Sequence, residues 1–304
     1  MTDLVNDLEE MIRTDVLAAL GADSSGELEA MSLSRLLIVY LNWRSRFITA
    51  VPRAVHLSSE LAASPKYSEH RGNIDTLVEK IESGSDLTPH LSKAIQSAYV
   101  PVARRKSAIG PRADLDRLRA EWGIHHLHLS SEMDPDGFVK RDDDLLFALF
   151  RAKDAFLIGI QDHGGWANTE LVRIAVENWP DAGVFIQSRG SIGLSQHFSD
   201  EDRLLLRNAG VTTPVEVRGK IYMPPGQSLA GTSSTATTVS NQIMWGLRDL
   251  RRILSEPESF NSLLSSSNVD MSKGFTWEPS LIDGFYGLHD ARTNTFLRAV
   301  VVPG

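Results

Sequence analysis

The chain has 304 residues, of which 42% are hydrophobic and 23% charged, and its formal net charge is −8. This composition is that of a folded globular protein, and the length suffices for two ordinary domains. The acidic balance excludes a globally basic nucleic-acid binder, so any such role rests on local patches. Cysteine is absent, which excludes disulfides, thiolate metal sites and cysteine nucleophiles.

The chain shows neither a membrane-span pattern nor a targeting pattern. No apolar run approaches the roughly 18 residues that a spanning helix needs. The start, MTDLVNDLEEMIRTD, is acidic and amphipathic, whereas a signal peptide has a basic start and an apolar stretch. We therefore expect a cytoplasmic protein without membrane association.

Helical patterns fill the first hundred residues. Apolar residues recur at spacings of three and four, which predicts helices over residues 2–20, 32–49, 73–83 and 89–98. The following stretch, VPVARRKSAIGPRA, is basic, contains two prolines and has no clear period. We interpret residues 1–100 as a helical domain and residues 101–113 as a basic linker.

Strand and helix patterns are mixed from residue 114 onward. IHHLHLS, LLFALFR and AFLIGIQ are short apolar or alternating runs, which predict three strands between residues 124 and 161. Further patterns predict helices in TELVRIAVENW, in DEDRLLLRNAG and over 239–254, a hairpin over 215–223 and a strand over 297–302. The expected fold class is α+β: the helical N-terminal domain precedes a mixed α/β domain over residues 114–304, with a small, mainly antiparallel sheet.

A cluster of histidines is the main candidate for chemistry. Because side chains alternate along a strand, His126 and His128 point to one face, about 7 Å apart. His163 follows at the end of the strand AFLIGIQ, where a strand gives way to a loop. Three imidazoles can serve as general acid, general base and phosphate stabiliser, can hold a catalytic zinc ion, or can be half-buried structural groups. The sequence leaves these three interpretations open.

The stretch IHHLHLS…DDDLLFALFRAKDAFLIGIQDHGGW, residues 122–166, resembles the antiparallel core of the RelE-type ribonuclease toxins. The resemblance implies a small curved sheet that clamps RNA and cleaves it without metal. It implies that His163 matches the strand-end histidine and that Arg141 and Arg151 match basic residues flanking the middle strand. Such toxins are usually shorter and basic, whereas this chain is long and acidic.

Two segments free of acids carry clustered arginines. Arg44, Arg46 and Arg53 lie between Glu29 and Glu60, together with Trp43, and Arg104 and Arg105 lie in the basic linker. Arginines beside an aromatic ring can contact phosphates while the ring stacks on an unpaired base. We therefore predict nucleic-acid contacts at these five arginines; the alternative is that the tryptophan is core and the arginines pair with acids elsewhere.

A glycine-rich loop precedes the helix predicted over 239–254. GQSLAGTS, starting at Gly226, has phosphate-loop spacing but lacks the lysine, so a nucleoside-triphosphate site is not expected. Thr232 and Ser233 with the backbone N–H groups can receive a single phosphate. The alternative is a polar loop whose hydroxyls cap the following helix.

The leading functional hypothesis is an RNA-cleaving phosphodiesterase or toxin-like effector in which His126, His128 and His163 act without a cofactor. The expected partners are RNA and an inhibitory or other partner protein. A second hypothesis is a zinc-dependent hydrolase that uses the same three histidines as metal ligands. A third is a non-enzymatic interaction protein whose histidines are structural.

Overall fold

The computed structural model describes residues 2–21, 25–102, 116–162, 168–191, 193–266 and 275–303. The chain divides into two compact units. We call Met1–Arg44 with Ala236–Gly304 the terminal unit, and Ser45–Thr235 the central unit.

Helices and small sheets are both present, which confirms the α+β class. The α-helices are α1 (Thr2–Leu20), α2 (Leu33–Arg44), α3 (Ser59–Ala62), α4 (Pro65–Glu69), α5 (Arg71–Ser83), α6 (Arg117–Trp122), α7 (Glu170–Asn178), α8 (Asp200–Asn208), α9 (Ser234–Ser255) and α10 (Pro257–Ser266). The strands are β1 (Ala54–Leu57), β2 (His125–His128), β3 (Leu145–Phe150), β4 (Asp154–Gln161), β5 (Ile186–Gln187), β6 (Val215–Val217), β7 (Lys220–Met223), β8 (Glu278–Ile282), β9 (Phe285–Asp290) and β10 (Thr295–Val301).

Local signals account for several helix boundaries. Helix α5 ends where Gly84 adopts a left-handed conformation at φ 72°, as the glycine predicts. Helix α8 begins with a capping box in which Ser199 and Asp202 satisfy each other's backbone N–H groups. The helix predicted over 89–98 is wrong, because those residues form two short 3-10 turns, Thr88–His90 and Lys93–Gln96. Ser92 is extended between them and accepts a hydrogen bond from the backbone of the second turn.

A four-stranded sheet in the order β1-β4-β3-β2 forms the centre of the central unit. The three predicted strands, β2, β3 and β4, are antiparallel neighbours, and β1 adds to the sheet parallel to β4. Strands β3 and β4 are almost wholly buried, because helices α3 and α5 cover one face and α7 with the β6–β7 hairpin covers the other. This two-sided cover explains why these strands read as continuous apolar runs.

The terminal unit joins the two ends of the chain. Helix α1 packs against α2 and against the antiparallel sheet β10-β9-β8, and the Asp15 carboxylate accepts a hydrogen bond from the Tyr286 hydroxyl at 2.8 Å. The predicted domain limits at residues 100 and 114 differ from this division, in which residues 45–100 share a unit with the four-stranded sheet. Among the described residues, no helix combines the length and apolarity needed to cross a membrane.

Candidate active site

Strand β2 carries three histidines at the edge of the four-stranded sheet. All three are buried: His125 is 5% exposed, His126 9% and His128 3%. His126 and His128 pair with Phe147 and Leu145 of β3, so both imidazoles lie on the face that α7 covers. Their ring centroids are 6.1 Å apart, with the ring planes nearly perpendicular. His126 and His128 therefore lie on one face of the strand, as predicted. Other elements of the fold cover that face, so it is not open.

The N-terminus of α6 places a carboxylate beside the pair. Asp116 caps this helix, and its Oδ1 accepts a hydrogen bond of 2.9 Å from the backbone N–H of Arg119. The second oxygen, Oδ2, lies 3.9 Å from Nδ1 of His126. One short acidic side chain thus fixes the helix start and supplies a negative charge to the imidazole.

His125 points to the opposite face and is held in its neutral form. Nε of the Arg119 guanidinium donates to Nε2 of His125 at 2.9 Å, so this ring nitrogen accepts and carries no proton. Burial, followed by the positive charge of Arg119, lowers the pKa of His125 well below its usual 6.5. A neutral acceptor of this kind is a structural group, and it positions Arg119 along β2.

A fourth histidine, His90, supports the same strand from outside the predicted cluster. Its Nδ1–H donates to the backbone carbonyl of His128 at 2.9 Å, and its Nε2 accepts from the Lys80 ammonium at 2.9 Å. Burial lowers the pKa of His90, and the nearby Lys80 charge acts in the same direction. Sequence spacing gave no sign of this contact, because His90 lies 38 positions before His128.

The two neutral histidines, His90 and His125, make stability depend on pH. Their pKa values are lower in the folded chain than in the unfolded chain, so the unfolded chain binds more protons at acidic pH. We expect the unfolding free energy to be fully present above about pH 6.5 and to fall below it by up to about 1.4 kcal/mol per pH unit for each histidine. Urea midpoints between about pH 7.5 and about pH 5.5 measure this slope. His90→Gln should reduce the slope, whereas His197→Gln, at an exposed position, should not. A midpoint that rises toward acidic pH would contradict the neutral forms.

His163 lies outside the described residues, but the strand that leads to it is in place. Gln161, the last residue of β4, pairs with Leu145 of β3, which in turn pairs with His128. The Asn168 side chain donates to Oε1 of Gln161 at 3.1 Å. The sheet register therefore brings the end of β4 to the same row as His128, two residues before His163 in sequence.

The predicted phosphate-binding residues are dispersed. Arg141 is exposed in the connection before β3, and the Arg151 guanidinium donates to the backbone carbonyl of Val184 at 3.1 Å. Thr232 and Ser233 are 6% and 4% exposed. The Thr232 hydroxyl shares a hydrogen bond of 2.8 Å with Ser228, and the Ser233 hydroxyl accepts from the backbone of α9 at 3.2 Å. The Ser233 contact caps the following helix, as the alternative interpretation predicts, whereas the Thr232 contact stays within the loop.

The predicted nucleic-acid-binding arginines have different environments. Arg46 and Arg53 are buried, and their guanidinium groups donate to backbone carbonyls within the central unit. These contacts bind segments of the chain together and leave both side chains covered. Arg44 is half-buried and lies 6.0 Å from the centroid of the Trp43 ring. Arg104 and Arg105 are outside the described residues.

Two more histidine–carboxylate pairs occur that sequence spacing did not single out. His56 Nε2 lies 2.9 Å from Oδ1 of Asp154, and His70 Nε2 lies 2.9 Å from Oδ2 of Asp144. Asp154 lies 98 positions after His56, and Asp144 lies 74 positions after His70. The fold, and not proximity in sequence, brings the two side chains of each pair together. The Lys66 and His70 contacts lower the pKa of Asp144 despite partial burial.

No group of three or more histidine, aspartate and glutamate side chains suited to a metal ion occurs within the described residues. The zinc alternative needs His163 as its third ligand, so it stays a prediction.

Comparison of the chain with protein-family models, with curated proteins and with solved structures finds no match. The resemblance of residues 122–166 to the RelE-type toxins therefore stays a prediction.

Proposed function

We propose that this protein is an endoribonuclease that cleaves RNA by general acid–base chemistry at His126 and His128. The single observation that carries the proposal is the placement of the two imidazoles on one face of β2, 6.1 Å apart, beside the Asp116 carboxylate. Phosphodiester cleavage needs one group to accept a proton and a second to donate one, and histidine does both near neutral pH.

The roles of the two histidines follow from the carboxylate. Asp116 faces Nδ1 of His126 and favours the tautomer with its proton on that nitrogen, which leaves Nε2 as the base. Nε2 takes the proton of a ribose 2′-hydroxyl, and the 2′-oxygen attacks the adjacent phosphorus. The bond from phosphorus to the 5′-oxygen breaks as protonated His128 donates its proton to that oxygen. The products are a 2′,3′-cyclic phosphate and a 5′-hydroxyl end.

His163 is assigned to stabilise the charge on phosphorus, in keeping with its position two residues beyond Gln161. Gln161 and His128 lie in the same row of the sheet.

The proposal is tested by incubating the purified protein with a single-stranded RNA in EDTA. We expect fragments that end in 2′,3′-cyclic phosphate, and no cleavage of the corresponding DNA, which lacks the 2′-hydroxyl. Cleavage that disappears in EDTA and returns with zinc would contradict the metal-free mechanism and support the zinc-dependent hydrolase. Intact RNA under both conditions would refute both enzymes.

One observation favours a second candidate, the non-enzymatic interaction protein. The three histidines of β2 are between 3% and 9% exposed, a range typical of structural side chains. For this candidate, alanine substitutions at His126 and His128 lower the melting temperature and affect function only through stability. A folded variant that has lost activity would exclude it.

Asp116→Asn separates the charge of this side chain from its capping role. Asparagine caps a helix as well as aspartate does, so α6 and the melting temperature should be preserved. We expect cleavage to slow by about tenfold, which corresponds to about 1.4 kcal/mol of lost charge stabilisation, and the acid limb of the pH–rate profile to move to lower pH. Asp116→Ala serves as the matched variant that loses the cap as well. An unchanged rate and pH profile in Asp116→Asn would show that the carboxylate is only a helix cap.

A further inference from the structure

Helix α9 presents an exposed tryptophan from an otherwise polar surface. Trp245 is 59% exposed and is the only exposed aromatic side chain in the part of the chain that the structure describes. The opposite face of the helix is buried through Ala236, Ser240, Ile243, Leu247, Leu250 and Leu254. This buried face orients α9, so the outward position of Trp245 is a fixed property of the fold.

The residues around Trp245 on the outer face of α9 are Asn241, Arg248, Asp249 and Arg252, at helical spacings of four, three, four and seven. All four are polar or charged, so the ring does not belong to an apolar patch of the kind that a protein partner would cover. A flat aromatic ring surrounded by polar groups suits a ligand that has one stacking face and many polar atoms. An unpaired nucleotide has this combination.

One arginine beside the ring has no acidic partner among the described residues. The acidic residues on this face of α9, Asp249 and Glu256, face another arginine. Both Asp249 and Glu256 lie within ion-pair distance of Arg252, at 3.9 and 3.5 Å. Arg248, one turn from Trp245, forms no ion pair or hydrogen bond with any described residue. It is therefore free to contact a phosphate.

We propose that Asn241, Trp245 and Arg248 form a binding surface for single-stranded RNA. The Trp245 indole stacks on an unpaired base, the Arg248 guanidinium contacts a neighbouring phosphate, and the Asn241 amide bonds to a base edge or sugar. This inference rests on the proposed function, since the ligand proposed for this surface is of the ribonuclease's substrate class.

Binding is measured by fluorescence anisotropy of a labelled 2′-O-methyl oligouridylate, which cannot be cleaved through a 2′-hydroxyl. We expect Trp245→Ala to raise Kd about 5- to 100-fold, the range for loss of one stacked base, and Trp245→Phe to retain most of the affinity. Arg248→Ala should raise Kd and reduce the slope of log K against log salt by about 0.7, the value for one phosphate of a single strand. Leu281→Ala, at a residue of β8 that is 47% exposed, is the matched control and should change nothing.

Equal affinity of the wild type and Trp245→Ala for the probe would overturn the proposed RNA contact at Trp245 and would favour a protein partner for this surface. A salt slope unchanged in Arg248→Ala would overturn the phosphate contact. The outcome is independent of catalysis, because the probe resists cleavage. A protein that binds the probe through Trp245 but leaves RNA intact refutes the ribonuclease proposal alone, whereas cleavage with Trp245-independent binding refutes the inference alone.

Discussion

Glu121→Ala should destabilise the protein by about 3–5 kcal/mol, the cost of leaving one buried charge without its partner. The Glu121 carboxylate accepts hydrogen bonds from Nε of Arg207 and from the backbone N–H of Thr213. Both charged side chains are 2% exposed. The Arg207 guanidinium also lies over the Trp122 ring, 4.3 Å from its centroid, so the substitution disturbs the core beside α6.

Two further variants serve as controls for Glu121→Ala. One breaks an exposed ion pair, and the other removes both charges of the buried pair. Glu132→Ala breaks the exposed contact with Lys140 and should change the unfolding free energy by no more than about 1 kcal/mol. The double variant Glu121→Leu with Arg207→Met removes both charges and should recover most of the lost stability. Urea titration of the four proteins measures these differences. Equal stability of Glu121→Ala and the double variant would contradict the assignment of the cost to an uncompensated charge.

Local signals in the sequence predict much of the central unit. The runs that form β2, β3 and β4 are recognisable because apolar residues fill them, and α8 is recognisable from its serine cap and first-turn acids. Strand β1 escaped prediction because its four residues, Ala54–Leu57, have no strand pattern of their own. It is a strand through its parallel pairing with β4, about a hundred positions later in the chain. The pairing of α1 with the sheet β10-β9-β8 is equally non-local.

The candidate site shows the same division between local and non-local information. Strand alternation predicts that His126 and His128 share a face, and the register confirms it. Alternation does not show whether that face is open, because α7 and the β6–β7 hairpin that cover it are distant in sequence. The contact of His90 with His128 and the buried state of Arg46 and Arg53 depend on such non-local packing as well. The residue types in the sequence therefore predict which groups are candidates for acid–base chemistry or anion binding. Only the fold shows which of these side chains are buried and which are exposed.

Alanine at His126 or at His128 should slow RNA cleavage by about 10²- to 10⁴-fold, the usual contribution of one positioned acid or base. The two groups act in a single proton-transfer step, so the double variant should lose little more than either single variant. The wild-type pH–rate profile should be bell-shaped, since one imidazole must be neutral and the other protonated. His126→Ala should lose the acid limb of that profile and His128→Ala the basic limb, because the first side chain is the base and the second the acid.

His56→Ala is the matched control for these two variants, because it removes another imidazole that contacts a carboxylate, Asp154, at 2.9 Å. That pair lies at the opposite end of β4 from Gln161, so cleavage should continue at the wild-type rate. Circular dichroism melting of each variant separates lost chemistry from lost structure. Cleavage that survives in a folded His126→Ala/His128→Ala double variant would remove both histidines from the reaction. The same loss of cleavage in His56→Ala would show that the effect of alanine is on stability and not on proton transfer.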